Sequence, residues 1–212
     1  MRLLTSFIRV SPWERTSIGK RLLCAFARVT VLFLLIISIG YFVYVKRFQI
    51  AAELWHWRHG NQTIIGNYQV PVPKHWLITE LGYEASTLVN TSSNFPKDGK
   101  LHTSAAIIIS PFQNWSVGAN GFWLAHERQR LVRENVEIVE VNTVKFENES
   151  ITCIGGRELN AILGDASNAR MPKMDAISLN CMSERGLNVL FVGEPSDVQP
   201  FYRFLSQIRH RK

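Results

Sequence analysis

Residues 29–45 read VTVLFLLIISIGYFVYV, 17 positions without a charge. No face of the run is polar, so a helix built from it has no side to turn toward water, as a helix of a soluble core would. Extended back to Leu22, the stretch covers 24 residues and is interrupted by Arg28 alone. At about 1.5 Å of rise per residue, the shorter run spans about 25 Å and the longer about 36 Å, against a hydrocarbon layer about 30 Å thick. Arg28 lies near one end, where a long side chain can snorkel to the headgroups. Tyr41, Phe42 and Tyr44 crowd the other end, as an interfacial aromatic belt does. The expectation is a transmembrane helix over residues 22–45.

A cleaved signal peptide is the competing reading. It needs a short basic start, an apolar stretch of about 7–15 residues and a small-residue cleavage site. Here 28 residues precede the run, and the run exceeds that range. The nearest small pair, Ala51-Ala52, follows Lys46, Arg47 and bulky Ile50. An uncleaved anchor is therefore expected.

The 212 residues carry 24 Lys and Arg against 17 Asp and Glu, a formal charge of +7. Residues 1–47 hold eight of the bases (Arg2, Arg9, Arg15, Lys20, Arg21, Arg28, Lys46 and Arg47) and one acid, Glu14. Residues 48–212 are balanced, with 16 of each. A neutral remainder offers no broad field to phosphates, which argues against nucleic acid as a partner. Six bases precede the span; Lys46, Arg47 and Arg58 follow it closely. That bias puts the N-terminus in the cytoplasm and the large C-terminal part outside, periplasmic in a bacterium. The expected organisation is a basic cytoplasmic tail at 1–21, the membrane helix at 22–45, a juxtamembrane helix at 46–60 and an extracytoplasmic domain at 61–212. The juxtamembrane piece, with Ile50, Ala51, Leu54 and Trp55 on one face and Gly60 as its stop, extends the membrane helix or lies on the outer surface.

Within the domain, strands are predicted at Gln69–Val72, Trp76–Glu80, Ala105–Ser110, Val136–Phe146, Ser150–Glu158, Ala176–Met182 and Leu187–Val192. The last two flank Glu184-Arg185-Gly186, which suits a tight hairpin. A helix is predicted from Gly121 to Glu134. Another carries Phe201, Phe204, Leu205 and Ile208 at helical spacing, with Ser196 or Asp197 to cap it and Pro200 in its first turn. Residues 91–100, TSSNFPKDGK, read as a loop. The fold class is α+β: an antiparallel sheet with helices packed on it. Around the turn-rich stretch GDASNARMPK, two antiparallel strands centred on Ser167 would place Cys153 opposite Cys181. In an oxidising compartment these form a disulfide, closing a loop that contributes roughly 3–4 kcal/mol. Cys24 falls in or beside the membrane segment.

Two segments, YQVPVPKHWLI at 68–78 and ISLNCMSERGLNVLFVGEPSDVQPFYRFLSQI at 177–208, give a proline-broken strand closed by Trp76 and a hairpin followed by a terminal helix. This layout resembles the PsbP-like fold of extracytoplasmic proteins, an α/β/α sandwich named for an extrinsic photosystem subunit. The resemblance implies a module that binds or assembles other proteins and has no shared catalytic site, but fold likeness does not fix function.

Catalytic signatures are missing: there is no GxSxG, HExxH, P-loop or GxGxxG. Gly155-Gly156, inside a strand, indicates a bulge or close backbone approach. His56 and His59 share a helix face without a visible third metal ligand and suit a belt near the membrane. His126 and Glu127, with Arg128, Arg130 and Arg133, read as a solvated helix face. His75 and His102 have no neighbouring partner in sequence. Asp165 and Asp175 flank the hairpin loop without any sign of a cleft. No metal, cofactor or catalytic residue is assigned. Asn61, Asn90, Asn114 and Asn148 each open an N-glycosylation acceptor sequence, relevant in a eukaryotic secretory pathway. The aromatic group Phe112, Trp115, Phe122 and Trp123 is expected to pack into the core; exposed, Trp115, Phe122 and Trp123 would be the leading contact for a partner.

The leading expectation is a single-pass membrane protein, held in the lipid bilayer, whose outer domain binds or organises an envelope protein without catalysis. The alternatives are an enzyme whose site spacing does not reveal and an envelope ligand sensor.

Overall fold

The computed structural model of the chain describes residues 12–80, 85–91, 101–103, 105–112, 115–116, 119–146, 149–158, 169–170 and 176–211. Helix α1 runs from Pro12 to His59. The chain divides after Val45 into two units. In the first, the side chains from Leu23 to Tyr44 are exposed, Leu23, Ile36 and Phe42 among them. The hydroxyl of Thr30 donates to the Phe26 carbonyl at 2.9 Å, so the one hydroxyl in the run before Ser38 makes its bond within the helix. By length and composition this helix is long and apolar enough to cross a membrane.

The second unit begins at Lys46 and is α+β. The last turns of α1 belong to it. Ala52 is fully buried, Trp55 packs on the main core, and Phe48 packs on a smaller cluster of Val89, Ala106, Ala176 and Val192. Gln49 Nε2 donates to the Thr91 carbonyl at 3.0 Å. The helix expected over 46–60 thus forms, but as part of the folded domain, which starts ahead of Asn61. It stops at Gly60, whose φ of 77° is open to glycine without a steric penalty.

Strands β1 (Gln62–Ile65) and β2 (Tyr68–Pro71) form a hairpin, which β12 (Arg209–His210) joins as a third strand. The large sheet comprises β3 (Trp76–Glu80), β4 (Ser86–Asn90), β6 (Ala106–Pro111), β7 (Glu137–Phe146), β8 (Glu149–Glu158), β10 (Ala176–Ser183) and β11 (Leu187–Gly193). Its order is β3-β4-β6-β11-β10-β8-β7, antiparallel throughout. A short parallel pair joins β5 (Leu101–His102) to β9 (Ala169–Arg170). Helix α2 (Asn120–Arg133) precedes β7, and α3 (Val198–Ser206) follows β11.

Alternation sorts the residues of the large sheet onto two faces. Ile107, Ile109, Ile151, Leu179, Val189 and Phe191 point to one, where Phe201, Phe204 and Leu205 of α3 and Ile65, Tyr68 and Val70 of the small sheet cover them in one core. The rings of Phe191 and Phe201 stack with centroids 4.6 Å apart. The opposite face receives α2, through Leu131 and Glu127, and Phe48 from α1. Neither Ser196 nor Asp197 caps α3 through its side chain; a 3₁₀ turn at Pro195–Asp197 leads into the helix instead.

Strands β8 and β10 pair about the centre read from the sequence, with Cys153 opposite Cys181, and the two are disulfide-bonded with Cα atoms 3.9 Å apart. Both are fully buried in the main core. Gly155 and Gly156 lie beside this bond, and a Cβ on either would run into a neighbour: Leu179 and the Ser178 carbonyl for Gly155, Val136 and the Glu137 carbonyl for Gly156. Facing them, β7 shifts register between Ile138 and Glu140. Close approach and bulge therefore occur together.

Replacing both cysteines, Cys153→Ala with Cys181→Ala, is expected to lower the stability of the domain by roughly 3–4 kcal/mol. Urea unfolding followed by circular dichroism measures this as a lower midpoint; an unchanged midpoint would show that the cross-link constrains nothing.

Candidate binding sites

Among the described residues no three His, Cys, Asp or Glu side chains gather to hold a metal ion. The paired histidines at the end of α1 face backbone carbonyls. His56 places Nε2 3.0 Å from the Pro73 oxygen and Nδ1 3.0 Å from that of Gly60. His59 sits 3.1 Å from the Trp55 oxygen and stacks on its ring at 5.0 Å. His56 thereby ties the helix end to the β2–β3 connection, while the contacts of His59 stay within α1. His75 is exposed, in a turn with φ of 64°. Asp165, Asp175, Asn114, Asn148, the side chain of His102 and the loop 92–100 lie outside the described residues. Asn61 is exposed, whereas Asn90 is half-buried in β4.

The expected solvated face of α2 holds for His126, Arg128 and Arg133, which are exposed, but not for Glu127, which is 5% exposed. Arg130 donates to Glu127 Oε1 through Nε at 2.9 Å and Nη2 at 2.7 Å, and to Glu134 Oε2 through Nη1 at 2.5 Å. From the sheet below, Asn180 reaches the same carboxylate, while accepting from Asn188 Nδ2 at 2.7 Å. Burial favours the neutral acid. The hydrogen bonds of Arg130 and Asn180 and the charges of Arg130 and His126 outweigh it, holding the Glu127 carboxyl below the ordinary glutamate value. This network ties α2 to β10 and β11 and is structural. A second buried acid, Glu149, has Arg185 Nε 3.6 Å from Oε1 and accepts no hydrogen bond among the described residues.

The aromatic group does not enter the core as expected. Phe122 is 85% exposed and Phe112 50%, while Trp115 and Trp123 are half-buried. Several contacts hold the residues beneath them. Trp115 Nε1 donates to Asn120 Oδ1 at 3.1 Å, and its ring lies 5.8 Å from that of Phe112. Its Cβ sits where a side chain on Gly186 would be, and Gly186, at φ 84°, turns the β10–β11 hairpin there. The Phe112 amide donates to the Gly186 carbonyl at 2.8 Å. Two aromatic side chains thus face solvent from a base held by a hairpin turn and a helix start.

A cleft of about 510 Å³ opens between α3 and the β2–β3 connection. Trp76, Ile107, Phe191, Phe201 and Phe204 make its apolar lining. Lys74, Asp197, Arg203 and Gln207 bring polar groups to it. Burial, and next the charge of Glu194, push the Asp197 carboxyl above the ordinary aspartate value, partly offset by a backbone hydrogen bond at Glu194. Sequence reading missed this cleft because its walls come from five separate segments, each of which reads as core, turn or helix cap on its own. On the sheet side of α3, burial and then the neighbouring Glu140 raise the Tyr202 phenol, so it stays neutral.

No protein-family model matches this chain, and no curated protein matches it. Among solved structures, the crystal structure of the Saccharomyces cerevisiae Ran-binding protein Mog1p is similar over 68% of this chain and 90% of that chain, at 13% identity and a TM-score of 0.37. A likeness of that strength says nothing of this chain's partners.

The Glu127 network carries a pH signature. A carboxyl whose folded-state value lies below its unfolded one stabilises the fold fully above the unfolded value, near 4.5, and loses that contribution as pH falls through the folded value. Glu127→Gln is expected to cost about 1–3 kcal/mol at neutral pH, shrinking toward zero in acid. Unfolding curves of both proteins between acid and neutral pH measure it; a pH-independent gap would remove the charge from the account.

Proposed function

We propose that the chain is a single-pass membrane protein with its N-terminus in the cytoplasm, and that its outer domain is a non-catalytic module that binds or assembles an envelope protein. The observation that carries the binding reading is Phe122, 85% exposed in the first turn of α2, together with Phe112, 50% exposed against Trp115, which bonds to Asn120 at the start of the same helix. Large aromatic side chains left in water suit burial against a partner, where aromatic anchors dominate affinity. The membrane reading is supported by the uncharged, exposed run within Leu23–Tyr44, and the outward orientation by six bases before that run against Lys46, Arg47 and Arg58 shortly after it. The Cys153–Cys181 bond is in keeping with an oxidising compartment. Helices on both faces of an antiparallel sheet suit the PsbP-like α/β/α sandwich.

Two measurements test this. In intact spheroplasts, external protease should digest the domain and spare the N-terminal tail, and alkaline carbonate should leave the protein in the membrane. Affinity capture with the intact protein should retain one stoichiometric envelope protein that Phe122→Ser loses, with unfolding of the domain unchanged. A variant that captures the same partner as well as the native protein would refute the aromatic contact.

A further inference from the structure

The cleft between α3 and the β2–β3 connection carries charge of both signs, and the Asp197 carboxyl meets a backbone hydrogen bond at Glu194 rather than a cation. Asp197 is half-buried; Lys74 and Arg203 are exposed at the same opening. Among the described residues, none of these three side chains forms an ion pair. Between them lies apolar surface from Trp76, Phe201 and Phe204. A volume of about 510 Å³ falls in the range of small-ligand sites, roughly 300–1,000 Å³.

We propose that this cleft binds a short peptide with free termini and apolar side chains, its ammonium group at Asp197 and its carboxylate at Arg203 and Lys74. The chemistry of the lining selects that class. A fatty anion would suit Arg203 and the apolar floor, yet would bury Asp197 against hydrocarbon with its charge unanswered. A simple organic cation would answer Asp197 and leave two bases idle. A zwitterion with an apolar body answers both signs and fills the floor. Length is in keeping with about three residues. Asp197, in the 3₁₀ turn that leads into α3, and Arg203 lie six positions apart, about 9 Å of backbone rise at 1.5 Å each. An extended chain advances about 3.3–3.6 Å per residue, so the termini of a tripeptide stand about that far apart. The raised Asp197 carboxyl is in keeping with a group whose counter-charge arrives with the ligand.

The test is isothermal titration of the full-length protein in lipid nanodiscs, where no detergent competes for the cleft. The probes are the tripeptide leucyl-alanyl-phenylalanine, its N-acetyl form and its C-terminal amide. The free tripeptide is expected to bind, and each blocked form to bind about fivefold more weakly or worse. Asp197→Asn should erase the penalty for acetylation and keep that for amidation; Arg203→Gln should lessen the penalty for amidation and keep that for acetylation. Melting curves of both variants check that they fold. Equal binding of all three probes, no binding of any, or tighter binding of dodecanoate that ignores Asp197→Asn would each overturn the proposal.

Discussion

The central strands of the large sheet are apolar on both sides, and the rest of the domain follows from covering them. β10 presents Leu179 and Cys181 to one face and Ala176 and Met182 to the other, all buried. β11 does the same with Val189 and Phe191 against Val192. A sheet of this kind cannot leave a face to water, so each face needs a layer. On one, α3 and the small sheet share the task, because α3 is too short to roof seven strands. On the other, α2 covers β7, β8 and β10, while Phe48 brings the end of α1 over the cluster of Val89, Ala106 and Val192. The same need makes residues 46–59 part of the domain, although their sequence reads as a continuation of the apolar helix.

Much of this was legible along the chain. Long apolar or alternating runs give β7, β8, β10 and β11 within a residue or so of their observed ends, since such strands are specified by their own pattern. The register of β8 on β10 could be read because two cysteines and a turn-rich centre constrain it together. Helix α3 declared itself by Phe201, Phe204, Leu205 and Ile208, all buried. Among the short strands, β2 and β3 were read but β1 and β4 were not. β1 and β4 have four and five residues, too few for a period to show, although Ile65, Leu88 and Val89 are buried once the strands are paired.

The errors at the candidate sites share one physical origin: local sequence does not say what lies across the gap. Glu127 sits between His126 and Arg128 and reads as solvated, but its partner Asn180 is on a distant strand, and that bond together with Arg130 makes burial affordable. Phe122 reads as core by its composition, yet it falls on the side of α2 away from the sheet, where none of the described residues covers it. The cleft is the extreme case. Trp76, Phe191 and Phe204 each look like ordinary core residues, and only their assembly leaves a space among them.

Strand geometry also separates the two proposed surfaces. Gly186, beneath Trp115, is at the hairpin end of β11, while Phe191 in the cleft is five residues further on, about 17 Å at 3.4 Å per residue. The aromatic patch is carried by the start of α2, and the cleft by α3, which cover opposite faces. Between them stand the central strands of the sheet, cross-linked by Cys153 and Cys181 and packed tightly at Gly155. Ligands at the two proposed surfaces would therefore meet different layers of the domain, with the disulfide and the close contacts at Gly155 between them. Coupling between them would need a second arrangement of this packed sheet.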